Sequence, residues 1–196
     1  MQQAERTLNV TATLAATNIG GGAGRTFTVK LNSKAKISTV TVNGAAATFR
    51  PGTEPRGDLF KAEVSLPNMA NPGANATLVV NYTLPVESNS GLAAISPVGT
   101  AFLPLSFWYP MPNTPFTLRG ADTAPFHLTV NMPGIISSGV EKSAAGSSTF
   151  DQSLSAQPFL FKATGTKWKV AVTRDPFRFL LAKGQVPKSV NRRKHL

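Results

Sequence analysis

Apolar and polar residues alternate along most of the chain. Thr7–Ala15 sets Leu8, Val10, Ala12 and Leu14 on one side against Thr7, Asn9, Thr11 and Thr13 on the other. That period is the signature of a half-buried β-strand, whose successive side chains point to opposite faces. Thr26–Leu31 repeats it with Phe27, Val29 and Leu31 in phase, and Lys36–Val42 follows. Asn43-Gly44 then precedes Ala45–Phe49. Asn-Gly between two such runs predicts a tight hairpin, because both turn residues need positive φ. Leu59–Leu66 keeps Phe60, Ala62, Val64 and Leu66 in phase, and Pro67-Asn68 and Asn71-Pro72-Gly73 read as breaks. The strand resumes over Ala76–Leu84 and stops at Pro85, which cannot donate to a ladder. Gly20-Gly21-Gly22-Ala23-Gly24 lies between the first two strands and reads as a hairpin connection.

Residues 85–125 break the pattern. They hold Pro85, Pro97, Pro104, Pro110, Pro112, Pro115 and Pro125 together with Phe102, Phe107, Trp108, Tyr109 and Phe116. Proline opposes regular pairing while the aromatic rings demand burial. A packed, irregular crossing between sheets satisfies both. Phe126–Val130, Ser147–Leu154 and Pro158–Ala163 then read as further short strands, with Trp168–Val172 as a candidate last one. No segment carries a helical period. The expected architecture is all-β, an antiparallel β-sandwich. It spans residues 1–170, with a basic tail or degenerate linker over 171–196.

Charge sharpens this division. The formal net charge of the 196 residues is +11. Residues 1–161 carry ten Lys/Arg and eight Asp/Glu, whereas 162–196 carry ten Lys/Arg and only Asp175. The body is nearly neutral and the basicity belongs to the C-terminal segment. The run Arg192-Arg193-Lys194 offers polyanion contacts. It lacks interleaved aromatics and a nucleic-acid-binding motif, which argues against nucleic acid as the partner. No apolar stretch reaches the roughly 18 residues of a membrane-spanning helix. The start, Met-Gln-Gln-Ala-Glu-Arg, lacks the basic and apolar regions of a signal peptide. Export and cytoplasmic residence both stay open. Asn9-Val10-Thr11, Asn75-Ala76-Thr77 and Asn81-Tyr82-Thr83 match the glycosylation tripeptide, but two of them fall inside expected strands.

Candidate chemistry is sparse. The chain has no Cys and two His, His127 and His195, neither with a His, Cys or carboxylate three or four residues away. A zinc site needs three or four such ligands on a rigid frame. His127 reads as a strand residue in Pro-Phe-His-Leu-Thr-Val. No G-x-S-x-G elbow appears, although a Ser-His-Asp arrangement is defined by geometry rather than by order. The glycine run at residues 20–24 lacks the Lys-Ser/Thr ending of a phosphate loop. These absences point to a chain without a catalytic centre, metal or cofactor of its own.

Four pieces of sequence resemble the N-terminal β-domain of the aminopeptidase N family of zinc metallopeptidases. Leu31-Asn32-Ser33 followed by Ile37–Gly44 is similar to the family's L-x-L-x-x-x-L-x-I-x-x-V-x-V-N-G hairpin. Thr77-Leu78-Val79-Val80-Asn81-Tyr82 is similar to its l-x-i-x-Y strand. Phe107-Trp108-Tyr109-Pro110-Met111-Pro112-Asn113, with Ala124–Pro133 after it, resembles W-F-P-x-x-D-x-P…K-A-x-F-x-L-x-V-x-x-P. Ile136-Ser137-Ser138-Gly139 resembles x-v-S-N-G, with Pro158–Phe161 in place of a later strand. Together they cover about residues 26–165. Asn113 stands near the family's acidic position and Thr123 or Ala124 replaces its basic one, as in a divergent, bacterial-like member.

The resemblance implies a saddle-like sandwich, placed before a thermolysin-like catalytic domain that it supports and partly roofs. That domain would carry H-E-x-x-H…E, which binds zinc and supplies the base, and G-x-M-E-N. Neither motif occurs here, so the implied role is non-catalytic, the implied partner is the absent peptidase domain, and zinc is expected only there. The alternative is a free-standing binding or adhesion module for carbohydrate or protein. Trp108 and Tyr109 would then be candidate surface stacking residues, weighed against burial of these rings in the core or an inter-sheet corner.

Overall fold

The alternating stretches form strands, and every ladder between them is antiparallel. The computed structural model describes residues 6–53, 59–112, 123–163, 168–172 and 178–182. In chain order the strands are β1 (Thr7–Thr17), β2 (Gly24–Asn32), β3 (Lys36–Val42), β4 (Ala45–Ala46), β5 (Phe49–Thr53), β6 (Leu59–Ala70), β7 (Asn75–Pro85), β8 (Ala93–Ser96) and β9 (Gly99–Phe102). A 3-10 turn, Pro104–Ser106, precedes β10 (Met111–Pro112). Then come β11 (Ala124–Val130), β12 (Val140–Ala144), β13 (Ser147–Ala156), β14 (Leu160–Ala163), β15 (Trp168–Val172) and β16 (Arg178–Ala182). Among the described residues there is no α-helix.

Two four-stranded sheets form the body, in the orders β1-β7-β3-β4 and β10-β2-β6-β5. Their inner faces meet in one apolar cluster. Leu8, Val40, Val42, Leu78, Val80, Tyr82 and Leu84 come from the first sheet, and Val29, Leu31, Ala62 and Val64 from the second. Two three-stranded sheets, β14-β9-β8 and β11-β13-β12, continue it. They contribute Ile95, Phe102 and Leu160, and Val130 and Phe150, to the same cluster. Burying such side chains contributes roughly 1.5–3 kcal/mol each before the cost of ordering the chain. This is the sandwich expected from the alternating pattern.

The links between strands correct several expectations. The glycine run does not join a hairpin. β1 pairs with β7 and β2 pairs with β6, so residues 18–23 carry the chain from one sheet to the other. The Asn43-Gly44 turn has the expected left-handed residues, φ 51° and 82°, and pairs Val42 with Ala45. Its return strand is only β4, however, because the chain leaves at Ala47–Thr48 and Phe49 enters the opposite sheet as β5. Pro67 does not end its strand. The β2–β6 register jumps from Thr26↔Ser65 to Gly24↔Ala70, so Pro67 lies within the bulged stretch, where no ladder donor is required.

The Pro- and aromatic-rich region is less irregular than its composition implies. It contains the β8–β9 hairpin and the short β10, which pairs with β2. Residue 170 lies in β15, which pairs with β16. β16, at Arg178–Ala182, is a strand that the sequence pattern does not suggest.

If the two inner faces form one core, the cost of truncation must follow depth. Leu31 is fully buried and Thr13 is exposed on the outer face of β1. Leu31→Ala is expected to lower unfolding free energy by roughly 2–5 kcal/mol, and Thr13→Ala by no more than about 0.5 kcal/mol. Urea denaturation of both variants checks this; equal losses would contradict the shared core.

Candidate functional site

The aromatic crossing is the most elaborately held part of the described chain. After β9 the chain makes the 3-10 turn and leaves it through Phe107, a non-glycine residue at φ 51°. Ser106 and Trp108 are buried, so the carbonyls here lie where water cannot satisfy them all. The second sheet answers with Asn32, the last residue of β2. Its backbone N–H donates to the Phe107 carbonyl at 3.0 Å and its amide Nδ2 to the Ser106 carbonyl at 2.8 Å. The first sheet answers with Tyr82 on β7, whose phenol donates to the Trp108 carbonyl. Burial pushes the Tyr82 phenol well above its ordinary pKa, so it remains a neutral donor.

The rings complete the arrangement. Trp108 packs on Phe102 with centroids 6.3 Å apart and meets Tyr109 edge-on at 5.1 Å. Both separations fall in the favourable range for aromatic pairs. Trp108 is only 4% exposed. It therefore has no open ring face for a sugar, and the stacking role considered for it is corrected to a core role. Tyr109 is half-buried against it. The indole Nε1 of Trp108 is buried without an acceptor among the described residues.

The pieces of sequence that carried the resemblance thus converge in space. Asn32 belongs to the first, Tyr82 to the second and Phe107-Trp108-Tyr109 to the third. The fourth is held separately. Ile136 and Phe161 exchange backbone hydrogen bonds of 2.7 and 2.9 Å. Gly139 sits at φ 106°, and a Cβ there would lie 2.7 Å from the Asp151 carbonyl oxygen. Only glycine fits that approach.

A polar cluster on the three-stranded sheet β11-β13-β12 is the feature sequence reasoning missed. His127 Nδ1 lies 2.5 Å from Asp151 Oδ1, and Lys142 Nζ reaches Asp151 Oδ2 at 2.7 Å. Thr129 Oγ1 lies 3.2 Å from His127 Nε2 and 3.3 Å from Thr149 Oγ1. The strand register brings His127 opposite Asp151. Sequence spacing alone could not, because the partners lie 24 residues apart. Asp151, His127 and Thr129 follow the order of a carboxylate–imidazole–hydroxyl chain. The carboxylate is shared with Lys142, however, and the His127 side chain is 65% exposed. Such a chain in water lacks the desolvated, donor-lined setting that gives a triad its power. What the cluster does is tie β11 and β12 to β13. The Lys142 hydrogen bond, and then that of His127, hold the Asp151 carboxyl below the ordinary carboxylate range, while Asp151 raises the Lys142 pKa.

The Asn and Thr residues of the three glycosylation-like tripeptides lie on the outer face of the first sheet. There Thr11 donates to Asn81 at 2.6 Å, Thr17 to Asn75 at 2.7 Å and Thr83 to Asn9 at 3.1 Å. Each pair is directly opposite in the β1–β7 register. Cross-strand pairs of this kind stabilise the outer face of an antiparallel ladder. Among the described residues, no group of three or more His, Cys, Asp or Glu is placed to hold a metal ion. Nor is any helix there long and apolar enough to cross a membrane. Asn113, Arg192, Arg193, Lys194 and His195 lie outside the described residues, as do the side chains of Trp168–Val172.

No family model and no curated protein sequence matches the chain. Solved structures do. Yeast LTA4 hydrolase in complex with bestatin superposes with a TM-score of 0.64 at 12% identity, over 87% of this chain and 28% of that one. An M1 zinc metallopeptidase mutant from Deinococcus radiodurans, bound to a Tyr-Ser-Ala substrate, gives 0.64 at 20% identity over 95% and 47%. Native leukotriene A4 hydrolase from Saccharomyces cerevisiae gives 0.61 at 14% identity over 85% and 27%. The chain shares the fold of one portion of these proteins and spans less than half of their length.

The Asp151 cluster predicts a defined pH dependence. A carboxyl with a lowered folded pKa adds stability above its ordinary value, near about 3.9, and loses it as pH falls through the lowered value. At neutral pH and low salt, Asp151→Asn is expected to lower the melting temperature by no more than about 3 °C, because the pair is exposed. Melting curves of both proteins should converge on acidification below the carboxylate range. A gap that widens in acid would contradict the assignment.

Proposed function

We propose that this chain is the non-catalytic N-terminal β-sandwich module of an aminopeptidase-like zinc metallopeptidase. In this reading it packs against a catalytic module and partly covers the active-site cleft. The observation that supports it best is the fold match, which takes in 95% of this chain yet only 47% of the Deinococcus metallopeptidase. A module that matches nearly whole onto a minority of a larger enzyme fits a supporting role beside the part that performs chemistry. The sequence agrees, since H-E-x-x-H and G-x-M-E-N are both absent. A role in carbohydrate stacking loses its main candidate with the burial of Trp108.

In this role the chain binds no zinc. The metal, the general base and the site for the substrate amino terminus belong to the partner module. The sandwich contributes shape: a rigid wall that limits which peptides reach the cleft. Its rigidity follows from a core continuous through four sheets, including the crossing at Trp108.

The test is association. A peptidase domain from the same source, expressed separately and mixed with this chain, should form a one-to-one complex by analytical ultracentrifugation. Within the complex, turnover of long peptides should fall relative to that of a small aminoacyl amide if the cleft is partly covered. Absence of measurable association, or aminopeptidase activity in this chain alone, would overturn the reading.

A further inference from the structure

Each sheet edge presents unpaired backbone donors and acceptors, and stable proteins blunt such edges with proline, charge, bulges or shortness. Most edges of this molecule follow that rule. β4 has two residues and β10 has two, one of them Pro112. β5 carries Pro51, β8 and β14 have four residues each, β11 carries Pro125 and His127, and β12 carries Glu141 and Lys142.

β1 departs from it. Its 11 residues, TLNVTATLAAT, contain no charge, proline or glycine. Its register with β7 runs unbroken from Thr7↔Pro85 to Thr17↔Asn75, so no bulge turns the edge away. Among the described residues β7 is its only ladder partner. The inward row is incompletely covered: Val10, Ala12, Leu14 and Ala16 are half-buried, whereas Leu78, Val80, Tyr82 and Leu84 on neighbouring β7 are 3% exposed or less.

We propose that β1 is a pairing edge for a second copy of this chain, joined antiparallel so that two four-stranded sheets become one continuous sheet. The strand is complementary to itself. A two-fold axis through Ala12 sets Thr11 opposite Thr13 of the second copy, Val10 opposite Leu14, and Leu8 opposite Ala16. Faces are preserved: every outward residue meets an outward one, with Asn9 opposite Ala15, and the inward row of Leu8, Val10, Ala12, Leu14 and Ala16 meets only apolar residues. Thr–Thr pairs then extend on the outer face the hydroxyl and amide pairing that β1 already makes with β7. The absence of charge on β1 means that the antiparallel arrangement meets no like-charge repulsion. Isologous closure leaves no further copy of this edge exposed, which favours a dimer over a fibre. This inference stands apart from the role in a metallopeptidase.

Analytical ultracentrifugation of the full chain over a wide concentration range tests it. The expected result is a reversible doubling of mass. Thr13→Lys combined with Ala15→Lys places charges on the exposed outer row, and should leave the melting temperature nearly unchanged while the species stays monomeric. Because the chain has no cysteine, Ala12→Cys should give a covalent dimer under mild oxidation, while Asn68→Cys, an exposed control on β6, should not. A wild-type chain that stays monomeric to millimolar concentration would overturn the proposal. So would a dimer that survives the double lysine variant, or one that crosslinks no better through Ala12→Cys than through Asn68→Cys.

Discussion

The structure depends on satisfying the backbone of one buried crossing. Between β9 and β10 the chain passes from one sheet to another carrying Phe107, Trp108 and Tyr109, and their rings draw the backbone into the interior. A buried carbonyl without a donor costs on the order of 1–3 kcal/mol, and this stretch has several in sequence. Donors come from both halves of the sandwich. Tyr82 reaches the Trp108 carbonyl from the centre of the first sheet, and Asn32 holds the Ser106 and Phe107 carbonyls from the end of a strand in the second. The clamp fixes the 3-10 turn and places Trp108 against Phe102, joining the body of the sandwich to the third sheet. Without it the aromatic burial would be opposed by unpaired polar groups.

How much of this was legible in the sequence depended on the range of the interaction concerned. Strands announced themselves because alternation is local: β1 and β7 follow the apolar pattern residue by residue, and β2 does so from Phe27 onward. The Asn43-Gly44 turn was equally plain, since few other residue pairs tolerate its dihedral angles. Pairing was not plain. Nothing between Thr17 and Gly24 says that the two flanking strands belong to opposite sheets, because that choice is made by β6 and β7 much further along. Pro67 misled for a related reason: its effect depends on whether the partner strand bulges opposite it. The His127–Asp151–Lys142 cluster was invisible, as its members meet only through strand register. Trp108 was ambiguous, and its burial was decided by Tyr82 and Phe102, which no local pattern connects to it.

The fold is shared with part of LTA4 hydrolase and of an M1 zinc metallopeptidase at only 12–20% identity. Asn32, Tyr82, Phe107-Trp108 and Gly139 each answer a backbone requirement: two carbonyl clips, a left-handed exit from a turn, and a close approach of two strands. They hold the crossing and the strands around it in place.

The central claim is that the crossing is held as a single unit by the two sheets together. A double-mutant cycle combining Tyr82→Phe with Asn32→Ala measures this directly in equilibrium unfolding. Each change alone should cost roughly 1–3 kcal/mol. Because both residues grip one short segment, the combined loss should differ from the summed losses by more than about 0.5 kcal/mol. Losses that add to within about 0.3 kcal/mol would show two independent contacts, and would contradict the account.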